Sequence, residues 1–277
     1  MRYLVVAILC LMMGVGFYAQ SPCNNQTSVT YQGYEYDIVE IGDQCWFAEN
    51  CRYLPSVNSS SEGSETDPYY YVYDYQGTDV EEAMATTNYE TYGVLYNWPA
   101  VMTEGVCPSG WHIPSEGEFT ELTDFLGGVS VAGGKIKEAG YDHWNSPNTG
   151  ATNSSGWTGL PGGYGFGGEG NFGKERFGSW WSASEYYCMG SWSGSYAYDL
   201  IYSDDDFDWD DQEHEYFFSA RCISDYSTTS SVSTEPSSNR KLEKVVDALG
   251  REVNHTPNQI LFHIYDDGSV EKKFVVE

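Results

Sequence analysis

The chain has 277 residues, enough for one domain of about 200 residues with its own core plus a smaller module. Its 41 acidic and 13 basic residues give a formal net charge of -28. Such an acidic surface repels nucleic-acid phosphates and anionic membranes, which excludes partners of both kinds, while cations and neutral sugars suit it.

Taken in chain order, residues 1–20 come first, with Arg2, an apolar run from Tyr3 to Tyr18 broken by Gly14 and Gly16, and small Ala19. This pattern predicts a cleaved secretory signal and no integral membrane span, because a spanning helix needs roughly 20 unbroken apolar residues. Cleavage removes Cys10 and leaves Cys23, Cys45, Cys51, Cys107, Cys188 and Cys222, an even set that predicts up to three disulfides in an oxidising compartment.

Tyr34, Tyr36 and Ile38 alternate with polar residues and predict a half-buried strand. Ser115 and Glu118 form a capping box, Phe119, Leu122 and Leu126 recur on one face, and Gly127 with Gly128 stops the run, so a helix is expected there, packed on a sheet. The stretch from Gly159 to Gly170 is too glycine-rich for regular structure. The expected fold class is α+β, with few helices.

Residues 21–226 form the body, and residues 227–240 a Ser/Thr-rich linker that lacks the apolar content to bury a core. Residues 21 to 239 hold 34 acidic and 6 basic residues, whereas the segment from Arg240 onward is nearly balanced, so body and tail are different modules. The tail, residues 241–277, reads as a small β module with a hairpin turning at Asp267 and Gly268.

The body resembles the Fibrobacter succinogenes major paralogous domain, a family of exported bacterial domains. The segments GYEYDIVEIGDQCWFAENCRYLP, YGVLYNWPAV, CPSGWHIPSEGEFTELTDFLGG, SPNTGATNSSGWTGLPGGY, GSWWSASE and FSARCISD carry that resemblance in order. That family is in turn similar to the C-type-lectin-like and formylglycine-generating-enzyme-like folds, which implies small antiparallel sheets, one or two helices and long surface loops. If the lectin-like topology holds, Cys107 pairs with Cys222, closing a loop of more than 100 residues and stabilising by about 4 to 5 kcal/mol. The tail resembles the C-terminal sorting domain of type IX secretion cargo through VVDALGREV and IYDDGSVEKKFVV, implying engagement of that secretion machinery and delivery to the outer surface or medium.

Two features are candidates for binding. The segment SDDDFDWDDQEHEY contains Asp204, Asp205, Asp206, Asp208, Asp210 and Asp211, and closely spaced carboxylates can supply several of the six to eight oxygens that calcium takes. No EF-hand spacing is present, and the alternative is a solvated acidic hairpin tip. Trp144, Trp157, Trp180, Trp181, Trp192 and Trp209 lie in loop-like or glycine-rich sequence and could stack on sugar rings, whereas Trp46, Trp98 and Trp111 read as core.

No catalytic residues are assigned. Carboxylate pairs such as Glu169 with Glu175, or Glu185 with Asp199, suit glycosidic chemistry but are expected by chance among so many acids, and neither GxSxG nor HExxH occurs. The sequence therefore points to a non-enzymatic binding or adhesion module for glycan or a surface protein, with no required cofactor and calcium as a candidate ligand. The alternatives are an assembly subunit of a surface layer or filament, and a polysaccharide hydrolase.

Overall fold

The computed structural model describes residues 21–188, 191–225, 241–246, 251, 253, 259–266 and 270–275, with only the backbone of 191–193, 259–262 and 270–275. The signal expected at residues 1–20, the linker expected at residues 227–240 and the turn expected at Asp267 and Gly268 lie outside the described residues. The chain divides into two compact units, Met1–Thr228 and Thr229–Glu277. None of the described helices is long and apolar enough to cross a membrane.

The first unit opens with β1 (Ser28–Tyr31), β2 (Tyr34–Ile41) and β3 (Gln44–Phe47), followed by β4 (Tyr70–Tyr71), α1 (Val80–Met84), α2 (Thr87–Tyr92), β5 (Leu95–Tyr96) and α3 (Trp98–Val101). Next come β6 (Trp111–His112), α4 (Glu116–Phe125) and α5 (Val129–Ile136), then β7 (Tyr164–Phe166), β8 (Gly170–Phe172), β9 (Phe177–Cys188), β10 (Ser191–Ile201), β11 (Asp208–Gln212), β12 (Tyr216–Phe217) and β13 (Ile223–Ser224). The second unit holds β14 (Leu242–Val246), β15 (Gln259–Tyr265) and β16 (Val270–Val275) as one antiparallel sheet in the order β14-β15-β16. The fold class is α+β.

In the first unit the largest sheet has the order β1-β2-β3-β13-β6, so the last strand of the body lies between elements from its beginning and middle. A three-stranded sheet, β11-β10-β9, stands beside it, with smaller sheets β12-β7-β8 and β4-β5. In β2, Tyr36 and Ile38 are buried while Glu35 and Asp37 are exposed, as the alternation predicts. Helix α4 carries both halves of its capping box and buries Phe119 and Leu122. Asn97 caps α3 by accepting from the Ala100 amide, and its own amide group donates to the Ser64 and Asp67 carbonyls.

Two large cores share the body, with a smaller cluster of Tyr71, Tyr73, Leu95 and Phe217. One gathers Tyr36, Phe47, Tyr96, Trp181, Ala197, Phe218 and Cys222; the other gathers Trp46, Phe119, Leu122, Trp157, Trp180, Tyr198, Phe207 and Ile223. Neighbours in sequence fall on opposite sides: Trp46 and Phe47, Trp180 and Trp181, Ala197 and Tyr198, Cys222 and Ile223. Successive strand residues point to opposite faces, so a strand buried on both faces is apolar at every position. The sheets are therefore partitions between the two cores.

The glycine-rich stretch is more regular than expected, since β7 and β8 form a hairpin within it. Gly165 makes this possible: a Cβ there would lie 1.8 Å from the Phe217 ring, which β12 packs across the strand. The disulfides number two among the described residues, not three: Cys23–Cys45 and Cys107–Cys222. Cys51 is a buried free thiol and Cys188 an exposed one on the last residue of β9, and their different surroundings keep them from forming a third bond.

Candidate functional site

Four of the six tryptophans expected on binding loops belong to the core instead. Trp157, Trp180 and Trp181 are fully buried and Trp144 is 2% exposed. Three of the indole N–H groups are spent internally: Trp144 on the Gly159 carbonyl, Trp180 on Asn50 Oδ1 and Trp181 on the Tyr96 carbonyl. Rings so enclosed present no face to a ligand. The side chain of Trp192 lies outside the described residues.

Trp209 is different, at 39% exposed on β11. Its ring centroid lies 4.5 Å from that of Tyr196 on β10 and 5.4 Å from that of Tyr186 on β9, and the two tyrosines are 5.3 Å apart. One aromatic side chain from each strand thus meets its neighbours at the outer part of the β11-β10-β9 sheet. The register explains the meeting: Tyr198 pairs with Trp209 and Tyr196 with Asp211, which puts Tyr196 and Trp209 on one face as diagonal neighbours. Two irregularities between β9 and β10 shift the pairing and bring Tyr186 opposite Gly194. Gly194 admits the close approach of β11, because a Cβ there would lie 2.5 Å from the Gln212 carbonyl oxygen.

Tyr186 and Tyr196 are half-buried, so the patch is anchored inward and open outward. The Tyr186 phenol is pushed up by the adjacent Cys188 sulfur, then by burial and Asp211, and its hydroxyl stays protonated as a donor at neutral pH. Half-buried Asp211 shares its face, whereas exposed Glu185, Asp208 and Asp210 alternate to the other side of the sheet. The site offers an indole face, two phenol hydroxyls and the Asp211 carboxylate. Sequence reading identified Trp209 but missed Tyr186 and Tyr196, whose only signal was their position in adjoining aromatic strand runs.

The six aspartates do not form one cation cage. Among the described residues the only group of three potential ligands with atoms within 4.8 Å of one another is Cys51, Cys107 and Cys222, two of which are bonded as a disulfide. The pleat separates the carboxylates: Asp208 and Asp210 pair with Asp199 and Ala197, while Asp211 shares the other face with Trp209. Asp204 and Asp205 lie instead near the ammonium of Lys137, which donates to the Ile201 and Asp204 carbonyls and is pushed down to about 8 by burial. The cation in this loop is the chain's own lysine.

Asp199 accepts a hydrogen bond from Ser179 and is pushed up to about 6, first by burial and then by Asp210 and Asp208. A carboxyl raised in the folded state contributes stability that is complete below its unfolded value of about 4 and is lost as pH rises through about 6. Asp199→Asn is therefore expected to stabilise the body at pH 7 by about 1 to 2 kcal/mol, allowing for partial exposure of the side chain. Urea titrations at pH 4 and pH 7 check this: the gain should be confined to the higher pH, and equal effects at both would refute the assignment.

The geometry separates one of the two carboxylate pairs weighed in the sequence, Glu185 with Asp199. Glu185 pairs with Ser195 and Asp199 with Ser179, which sets the two acids roughly 13 Å apart along the sheet, beyond the span used by glycosidases. Ser195 Oγ lies 2.9 Å from His214 Nε2, whose ring stacks on Trp98, but Ser195 is fully buried and no substrate reaches it. An open groove of about 480 Å³ runs between the β2–β3 turn and α4, lined by Ile41, Asp43, Glu121, Asp124 and the exposed Phe125. It holds carboxylates without a base or cation to oppose them.

No curated protein matches the chain, and no solved structure matches it either. A family model described as the Fibrobacter succinogenes major domain matches residues 39–224, which include every strand from β3 to β13, most of the two large cores and the aromatic patch. With well over half of its length matched, the chain belongs to the Fibrobacter succinogenes major domain family.

Proposed function

We propose that this chain is an exported, non-enzymatic binding protein whose lectin-like domain takes neutral glycan on Tyr186, Tyr196 and Trp209. The observation that carries the reading is the convergence of three aromatic side chains from three strands on one accessible face, with Trp209 39% exposed. Indole and phenol rings stack on the apolar faces of sugar rings and lose little conformational entropy in doing so. The Asp211 carboxylate beside the rings and the acidic charge of the whole chain favour neutral or cationic sugars over sulfated or uronic ones. Two disulfides are compatible with an extracellular location, and the resemblance of the tail to type IX sorting domains supplies a route.

The test is a glycan array probed with the oxidised body, residues 21–226, with and without chelator. Neutral glycans should be retained in both conditions, and Trp209→Ala should weaken them at least tenfold, which corresponds to about 1.4 kcal/mol. Undiminished binding by a folded Trp209→Ala variant would remove the patch from the site, and a blank array would favour a surface protein as the partner. Assembly through strand pairing has less support, because the outer strand β11 carries Asp208, Asp210 and Asp211, and charges of one sign discourage edge-to-edge association.

A further inference from the structure

Cys51 is a buried free thiol of the first core that lies against a sulfur already bonded elsewhere. Its Sγ lies 3.4 Å from Sγ of Cys222, which is already bonded to Cys107. All three sulfurs fall within 4.8 Å of one another. Main-chain bonds hold the segments whatever the cross-link: the Cys51 amide donates to the Ala220 carbonyl, the Phe47 amide to the Cys222 carbonyl and the Val94 amide to the Cys51 carbonyl.

We propose that Cys222 has two alternative partners and that the domain contains a disulfide-exchange device in which Cys51 displaces Cys107. The Cys51 thiol gives up its proton, and its sulfur, which lies to the side of the Cys107–Cys222 axis, rotates into line behind Sγ of Cys222 and attacks it. The Cys222–Cys107 bond breaks, and Cys107 leaves with the electron pair and takes a proton. One disulfide and one thiol enter and leave, so no external oxidant or reductant is consumed.

Two physical facts make the exchange feasible and slow. The loops closed by the two bonds span 115 and 171 residues, and loop entropy varies only with the logarithm of length, so neither isomer is strongly favoured by the chain. Cys107 is half-buried whereas Cys51 is fully buried, so the departing sulfur is the better solvated one. Against this, burial pushes the Cys51 thiol up to about 12, although the Arg221 guanidinium acts in the opposite direction. Tyr36 from β2 and Tyr96 from β5 also face it, both raised by burial and neutral at physiological pH. The thiolate fraction at pH 7 is about 1 in 10⁵ and rises tenfold per pH unit, which sets the rate. The product exposes a thiol at Cys107, between α3 and β6, where none existed.

The experiment uses the whole exported chain, residues 21–277, without reductant, incubated with iodoacetamide at pH 7 and pH 9 and mapped by non-reducing mass spectrometry. Cys188, exposed from the start, serves as the internal control. Alkylated Cys107 and a Cys51–Cys222 linked peptide are expected to accumulate together, about 100-fold faster at pH 9, and Cys51→Ala should abolish both. A native protein that keeps Cys107–Cys222 and leaves Cys107 unlabelled at pH 9 overturns the proposal. So does Cys107 labelling that persists in Cys51→Ala; the first of these outcomes needs no variant.

Discussion

Replacing Arg221 by Met is expected to cost about 4 kcal/mol or more, a large part of the 5 to 15 kcal/mol that holds a typical domain folded. Arg221 is 1% exposed, and its hydrogen bonds all go to neutral oxygens: Nη1 to the Trp157 carbonyl and, at 3.4 Å, the Phe47 carbonyl, Nη2 to the Thr158 carbonyl at 2.9 Å, and Nε and Nη2 to Asn50 Oδ1 at 3.3 and 3.1 Å. The guanidinium carbon sits 3.6 Å over the Trp157 ring. Burial pushes this cation down to about 9, so its desolvation is a genuine cost that substitution returns.

The acceptors decide the sign. Residues 157 and 158 follow the turn at residues 154–155, Thr158 adopts φ 55°, a strained value for a β-branched residue, and the two inward-facing carbonyls of this segment would lose their donor. Each orphaned buried acceptor costs about 1 to 3 kcal/mol, and loss of the desolvated cation–π contact adds about 2. Arg221→Lys should fail almost as badly, since an ammonium cannot serve both carbonyls and Asn50 as a planar fork does. The linkage has the sign of a depressed cation: the unfolded chain binds more protons from about 9 up to the ordinary arginine value, so this group's contribution is constant at neutral pH and grows across that window. Guanidinium melts of the three proteins, followed by near-ultraviolet circular dichroism, provide the check; a shift below 1 kcal/mol for Arg221→Met would show that the segment relaxes.

How much of this was legible in the sequence depends on whether the signal was local. The helix at Glu116–Phe125 followed from Ser115 and Glu118, three residues apart, and β2 followed from one alternating face. GSWWSAS gave no such pattern, because Trp180 and Trp181 enter different cores and a strand buried on both faces shows no polar alternation. Its flanking glycine and serines then read as loop. The aromatic patch was half visible for a related reason: Trp209 stood out in an acidic segment, whereas Tyr186 and Tyr196 join it only through the register of β9, β10 and β11. Cysteine parity failed on Cys51, since counting assigns a partner to every thiol and cannot see that the sulfur beside it is already bonded. Arg221 lay inside a recognised segment, FSARCISD, yet its role depends on a segment more than 60 residues earlier.

Removing the long-range disulfide is expected to be the other severe change. In the chain-entropy treatment, Cys107–Cys222 with its separation of 115 residues stabilises by about 5 kcal/mol, and Cys23–Cys45 with a separation of 22 by about 3. Cys107→Ala/Cys222→Ala leaves Cys51 without any partner, whereas Cys23→Ala/Cys45→Ala leaves the three-sulfur cluster intact. The consequences also differ in place. Cys222 precedes β13, which pairs with both β3 and β6, so the longer bond ties the segment before β6 to the strand that joins the beginning and end of the body. The shorter bond fastens only residues 21–27 to β3, ahead of β1. Calorimetry should show the Cys107/Cys222 variant losing more stability than the Cys23/Cys45 variant by about 1 to 2 kcal/mol, and hydrogen exchange should show added opening at Ile223 and Trp111 only in the former. Equal losses would mean that the folded body, and not the unfolded chain, sets the worth of these bonds.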